Sequence, residues 1–173
     1  MRERLSRRFY LKPTLEVAQN LLGKYIIRKI GKKEISGKII ETEAYIGPKD
    51  KASHAYNWKI TSRNWVEYLE GGYIYIYLVY GMYWQLNIVT QKAGKPECVL
   101  IRGLDEVKGP GKVCQFLKLD KKFYGEDLTE SKRIWLEDWG EKIEKTSILV
   151  SKRIGIDYAG SYWSHRKWRF VLK

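Results

Sequence analysis

The chain has 173 residues, 44% of them hydrophobic, enough for one packed domain with a sizeable core and too few for a second. Its most apolar run, Tyr73 to Val79, falls far short of the roughly twenty residues of a membrane span, and no apolar signal core follows the basic start, so neither a membrane protein nor a secreted one is expected. Thirty-three Lys and Arg against 20 Asp and Glu give a formal net charge of +13, which favours a polyanionic partner.

Taken in chain order, residues 1–8 read as a basic arm, Arg2 to Arg8, expected to be a disordered tail that grips phosphates, and residues 9–173 as the folded domain. Pro13-Thr14 is a helix start, with Leu15, Ala18, Leu21, Leu22 and Tyr25 at helical spacing and Gly23 as a stop. Strands are expected at Tyr25 to Ile30 and at Ile35 to Thr42, the end of the second delivering Glu43. Residues 46–62 read as a loop, and Asn64 to Leu69 as a short helix closed by Gly71-Gly72. The aromatic and β-branched run Tyr73 to Val79 and the return run Trp84 to Thr90 predict a hairpin with Tyr80-Gly81 near its tip. Further expectations are a strand at Cys98 to Arg102, a helix from Gly109-Pro110-Gly111 through Leu117, and a helix capped by Thr129 with Ile134, Trp135 and Trp139 on its apolar side. Strands at Ile148 to Ile154 and Trp168 to Leu172 close the chain. Hairpins outnumber βαβ units, so the fold class is α+β with a mostly antiparallel sheet.

The chain lacks a phosphate-cradling P-loop, a GxGxxG turn, a GxSxG elbow and an HExxH helix, which weakens nucleotide hydrolases, dehydrogenases, serine hydrolases and zinc proteases. Cys98 and Cys114 lack metal-ligand spacing; with only His54 and His165 beside them, no metal site is expected and the thiols read as reduced core residues. Seven Trp and 13 Tyr exceed what a small core needs, and nucleic-acid sites use such rings as stacking platforms. Strand alternation puts Glu41, Glu43 and Tyr45 on one face, where a carboxylate beside an aromatic can act as a general base; two solvated surface carboxylates would look the same. His54 sits in a polar loop, which fits either a site residue or a bland one. Tyr80, on a glycine turn, either wedges between base steps or folds back on the sheet. Asn87 shares the face of Tyr77 if the hairpin loop has three residues and not if it has two, and both registers stay open.

In their order these pieces resemble one family. Glu41-Thr42-Glu43-Ala44-Tyr45-Ile46-Gly47-Pro48, Asp50, Ser53-His54, Arg63-Asn64, Tyr75 to Tyr83 with Asn87, Val99-Leu100-Ile101-Arg102, Gly109 to Gln115, Arg153-Ile154-Gly155-Ile156 and Trp168-Arg169-Phe170 are similar to the alkyladenine (3-methyladenine) DNA glycosylases. The resemblance runs from about Phe9 to the end. It implies one mixed domain around a curved, mostly antiparallel sheet with a protruding hairpin, no cofactor or metal, an intracellular setting in the cytoplasm and nucleoid (the nucleus in a eukaryote), a monomer, and double-stranded DNA carrying damaged purines as partner.

By position, the resemblance implies that Glu43 activates water and that Arg102 lies near the water and the target backbone. Tyr45 and Tyr77 would sandwich the flipped base, His54 would contact its edge, and Asn87 would crowd the exocyclic amine of guanine. The Ile154 carbonyl would help hold the water, and Tyr80 would fill the vacated stack. Arg63 and Lys112 are candidates for DNA contact. No amine is placed as a nucleophile, so base release without strand cleavage is implied. Two departures stand out: Tyr56-Asn57-Trp58-Lys59 and Ser62 replace the family's glycine and proline, and Trp65-Val66-Glu67-Tyr68 replaces a Met-Phe-like pair. Both bear on substrate range more than on reaction type. A non-catalytic nucleic-acid-binding module, or an RNA-directed relative on the same scaffold, would share the charge and the aromatics.

Overall fold

A computed structural model describes residues 2–173. Nine strands form one sheet: β1 (Glu3–Arg4), β2 (Tyr25–Ile30), β3 (Lys33–Tyr45), β4 (Ile74–Val79), β5 (Tyr83–Thr90), β6 (Glu97–Leu104), β7 (Ile134–Asp138), β8 (Ile148–Ser151) and β9 (Arg169–Leu172). Four short helices accompany them: α1 (Arg7–Tyr10), α2 (Thr14–Asn20), α3 (Pro110–Phe116) and α4 (Ser161–Ser164). The main path is β1-β7-β2-β3-β6-β5-β4, with β9 paired to β3 and β8 to β9, and all the strand pairs are antiparallel. The α+β expectation holds.

The long strand β3 joins the halves of the sheet. Its first part, Lys33 to Lys38, pairs with β2. Its second part pairs with β6 on one side and, over Glu41 to Glu43, with β9 on the other. Two register shifts flank Glu41, and such irregularities bend a strand and re-aim its side chains. Alternation then separates the faces. Thr42 and Ala44 face α2, where the Thr42 hydroxyl donates to the Ala18 carbonyl at 2.8 Å. Glu41 and Glu43 face the opposite way, both toward Arg102.

Helix α2 forms where the periodicity placed it. Pro13 precedes the first turn, and Val17, Ala18, Leu21 and Leu22 are buried against the sheet; full burial of each larger side chain contributes about 1.5–3 kcal/mol. Helix α3 starts at Pro110 and packs on β5 and β6. Gly111 permits that approach, since a Cβ there would stand 2.9 Å from the Tyr83 ring. The β4–β5 hairpin pairs Val79 with Tyr83 and Tyr75 with Asn87, so its loop has three residues and the open register is settled. Tyr80 and Gly81 both have positive φ, and the Met82 N–H closes on the Val79 carbonyl, the pattern of a type I′ turn.

Two expectations fail. The segment after Thr129 is not a helix. Thr129 turns back on Asp127, and Ile134–Asp138 is strand β7, held between β1 and β2. Ile134 and Leu136 are buried while Trp135 and Glu137 face outward, a period of two that sheet pairing selects over the helical reading. Nor are residues 2–8 a free arm; Met1 lies outside the described residues. Glu3–Arg4 pairs with β7, and Arg4 donates to the carbonyls of Leu128 and Ser131. Arg7 donates to the Gly71 carbonyl at 2.7 Å and to Thr129 at 2.9 Å, and it pairs with Asp127. These arginines satisfy carbonyls and a carboxylate of the domain and are not spare charge for phosphates. Smaller adjustments concern ends: β3 runs on through Tyr45, so Glu43 lies inside the strand, and β8 stops at Ser151.

Arg7→Ala removes charge-assisted bonds to three partners and is expected to destabilise the fold by about 2 kcal/mol, measured as a lower midpoint of urea unfolding with unchanged slope. An unaltered midpoint would restore the free-arm reading.

Candidate active site

The side chain of Glu43 is wholly buried, yet three donors converge on it. The Tyr45 hydroxyl donates to Oε2 at 2.9 Å, the Ile154 N–H donates to Oε1 at 2.8 Å, and Arg102 Nε lies 3.5 Å from Oε1. They arrive from β3 itself, from the loop after β8, and from β6. Burial pushes the carboxyl above its ordinary value of 4.5, while the Arg102 charge, the Ile154 N–H and the Tyr45 hydroxyl pull it back. Arg102 is shared: its Nε also donates to Glu41 Oε1 at 3.0 Å, and Arg169 donates to the same oxygen at 2.6 Å.

The loop that carries Ile154 is fixed by a second buried pair. Arg153 and Asp50 are both fully shielded, and Arg153 reaches both Asp50 oxygens, at 2.5 and 2.9 Å. The guanidinium also donates to the Ala44 carbonyl and lies over the rings of Tyr45 and Trp168. Asp50 in turn accepts the N–H groups of Ile46 and Ala52. One ion pair thus anchors β3, the 46–55 loop and the Ile154 backbone together.

Above Glu43 opens a cleft of about 290 Å³. Tyr45, His54, Arg63, Tyr77, Tyr80, Arg102 and Ile154, seven of the ten residues singled out from sequence, line it, and Tyr158 stands at its mouth. The Tyr77 hydroxyl bonds Gln85, and the Arg63 guanidinium lies over the Tyr77 ring while donating to the Leu78 carbonyl. His54 meets the Tyr77 ring at 4.6 Å between centroids, and its Nδ1 lies 2.5 Å from the Tyr75 hydroxyl. Burial lowers the His54 pKa to about 4, with the charges of Arg63 and Lys59 adding to the effect, so the ring is neutral at physiological pH. Tyr75 is held protonated by burial. Donation by its hydroxyl to Nδ1 satisfies both groups and leaves Nε2–H as the imidazole's free donor.

Asn87 and Lys112 lie apart from the cleft wall. Asn87 is buried in a small chamber behind it, opposite Tyr75, with its amide against the Gln85 carbonyl. Lys112 is exposed at the start of α3, across a groove shared with Tyr80. Tyr80 itself is 87% exposed at the hairpin tip and does not fold back on the sheet. Among the described residues no group of three or more His, Cys, Asp or Glu side chains is arranged to hold a metal ion.

Sequence reasoning missed Glu67. This carboxyl, on the single turn Trp65–Tyr68, lines the rear chamber with Asn87 and Cys98. The Cys98 thiol donates to Oε1 at 3.5 Å, whereas Oε2 is buried with no hydrogen-bond partner. Burial raises its pKa to about 7. Asp50 and Arg153 were visible as residues, but their pairing across 103 positions was not.

The sequence model of the family described as methylpurine-DNA glycosylase (MPG) matches residues 8–109 and 104–173. A protein of Clostridium novyi is 40% identical over 99% of this chain and 96% of its own length. One of Borreliella burgdorferi is 39% identical and one of Natranaerobius thermophilus 35%, each over 98% of this chain and 96% of its own length. Each of the three bears the name "Putative 3-methyladenine DNA glycosylase".

The raised Glu67 carboxyl has a consequence for stability. The unfolded chain releases this proton near 4.5, and the folded chain keeps it to about 7. Its contribution to stability therefore falls as pH rises through that window. Glu67→Gln removes the effect, so the stability of the variant relative to the parent is expected to grow by about 3 kcal/mol between pH 4 and pH 8 in urea titrations. A difference that stays flat with pH would place an ionised Glu67 in the fold.

Proposed function

This chain belongs to the methylpurine-DNA glycosylase family, and from that premise we propose that it binds duplex DNA as a monomer, flips an alkylated or deaminated purine into the cleft and hydrolyses the bond between base and sugar. The observation that carries the reading is Glu43: a buried carboxyl held by three donors, Tyr45, Arg102 and the Ile154 N–H, whose residues all line an aromatic cleft, and without a structural ion pair of its own beyond the shared Arg102.

The chemistry needs little more. Alkylation at N3 or N7 makes the purine cationic and a good leaving group. Glu43, ionised, takes a proton from water as the water attacks C1′, and its charge stabilises the oxocarbenium-like sugar. Burial raises its proton affinity toward that of a useful base, while Arg102, Tyr45 and the Ile154 N–H keep the anion accessible. Because Glu43 has no exposed surface in the free protein, the attacking water reaches it through the cleft floor, beside Ile154. Here the group contributed by Ile154 to Glu43 is its N–H; the neighbouring carbonyl is left for the water.

Tyr45 and Tyr77 supply ring faces for the flipped base, and electron-rich faces hold a cation better than a neutral ring. The Nε2–H of His54 offers a donor to the base edge. Tyr80 enters the gap left in the stack; flipping takes a few kcal/mol, less at a damaged or mispaired base. Arg63, Lys108 and Lys112 flank the hairpin on its two sides, where phosphates on either side of the flipped nucleotide would lie. Lesions of the 3-methyladenine, 7-methylguanine, hypoxanthine and ethenoadenine classes are the substrates we propose, the neutral bases among them taking up a proton as they leave.

Glu43→Gln keeps the shape and removes the base. It is expected to lower single-turnover release of 7-methylguanine from a defined duplex by a factor of at least about 10³ while preserving affinity for that duplex. In the parent, the rate should fall as pH drops through a Glu43 pKa above 4.5. Full release by Glu43→Gln overturns the mechanism. Tyr80→Ser is expected to weaken binding of a lesion duplex by about tenfold, and an unchanged Kd in anisotropy titrations would remove Tyr80 from the DNA contact.

A further inference from the structure

One ionisable group beside the cleft has no part in the reaction outlined above. Glu67 belongs to none of the ion pairs among the described residues. Its residue is 1% exposed, its Oε1 accepts a weak thiol donor, its Oε2 has no hydrogen-bond partner, and the nearby Asn64 amide offsets the burial only in part. A buried carboxyl is normally matched by a cation or by a full set of donors, because desolvating the anion is unfavourable. Here the protein supplies no cation, and its donors are a thiol and the neighbouring Asn64 amide, too few to answer an anion.

Its position says what can supply it. The chamber that Glu67 lines has a volume of about 10 Å³, room for about one water-sized group. Tyr45, Ala52, His54 and Tyr77 form walls of both the chamber and the cleft. The carboxyl therefore stands directly behind the residues that would enclose the base, in a region from which water is largely excluded.

We propose that Glu67 is a specificity-determining residue that provides the negative charge opposite a cationic purine in the cleft, and so favours N3- or N7-alkylated bases over neutral ones such as hypoxanthine. The inference rests on the reading of the cleft as the base site. Charge acts strongly across a short, low-dielectric gap, so the carboxylate need not touch the base. It also answers a difficulty of the site. Arg63 and Arg102 line the same cleft and would repel a cation; Glu43 and Arg102 already offset each other, and Glu67 balances the guanidinium that remains. A neutral base draws no such benefit and leaves Glu67 protonated against Cys98 and Asn87.

The test compares the parent chain with Glu67→Gln and Glu67→Met. Binding is read by anisotropy on duplexes carrying either 2′-fluoro-7-methylguanosine or 2′-fluoroinosine, in which the fluorine suppresses cleavage. Base release is read on the corresponding cleavable duplexes, and thermal unfolding verifies each fold. The parent is expected to prefer the cationic duplex, and both variants are expected to lower that preference by about tenfold or more. A parent without the preference, or variants that fold and keep it, overturns the inference. Release of bases with a preference independent of Glu67 sinks this inference alone. A Glu67-dependent preference without release sinks the hydrolytic reading alone.

Discussion

A carboxylate can be kept inside a protein only if its charge is answered, and the architecture around the cleft is organised by that requirement at Glu43. Its three donors come from places far apart in sequence: a neighbour two positions along the strand, an arginine on the adjacent strand, and a backbone N–H more than a hundred residues later. Each is positioned by a different device. Alternation along β3 brings Tyr45 to the face of Glu43, the β3–β6 pairing brings Arg102, and the Asp50–Arg153 pair brings Ile154. The result is a group shifted toward a useful basicity yet still able to ionise.

The Asp50–Arg153 pair illustrates a buried ion pair used for placement. Removing one partner of such a pair leaves an uncompensated charge, at a typical loss of about 3–5 kcal/mol. That penalty makes the positions of the 46–55 loop and of Ile154 all-or-none, because the guanidinium also bonds Ala44 on β3 and is stacked between Tyr45 and Trp168. Glu41 plays a related part on the other side. By holding Arg102 and Arg169 together it fixes the arginine that faces Glu43 and ties β9 to β3. Few of these residues touch the cleft, yet they determine where its chemistry sits.

Much of the fold was legible in the sequence because local rules agreed with tertiary ones. Helix α2 showed its start and its buried face, and the β4–β5 hairpin showed its strands and its glycine tip. The segment after Thr129 misled because Ile134, Trp135 and Trp139 suit a helical face as well as a strand, and only the presence of β1 and β2 on either side decides between them. The basic start misled for a related reason: composition counts the charges of Arg4 and Arg7 but cannot see the carbonyls and the carboxylate that absorb them. Within the site, residue types and order pointed to Glu43, Tyr45, His54, Tyr77, Tyr80 and Arg102, which the fold gathers round one cleft. Glu67 stayed hidden, since an acidic residue between aromatics on a short turn reads as surface until burial is known. The departure from the family pattern at Trp65 to Tyr68 marked the segment but not the buried carboxyl within it.

The measurement that bears most directly on the site is a crystal structure of the Glu43→Gln variant bound to a duplex carrying 7-methylguanine. The damaged base should lie between Tyr45 and Tyr77, with C1′ of its sugar facing residue 43 and the Tyr80 ring in the gap it left. A base still stacked in the duplex, or DNA bound on a face away from the hairpin and the cleft, would contradict the assignment of this cleft as the place where the glycosidic bond is broken.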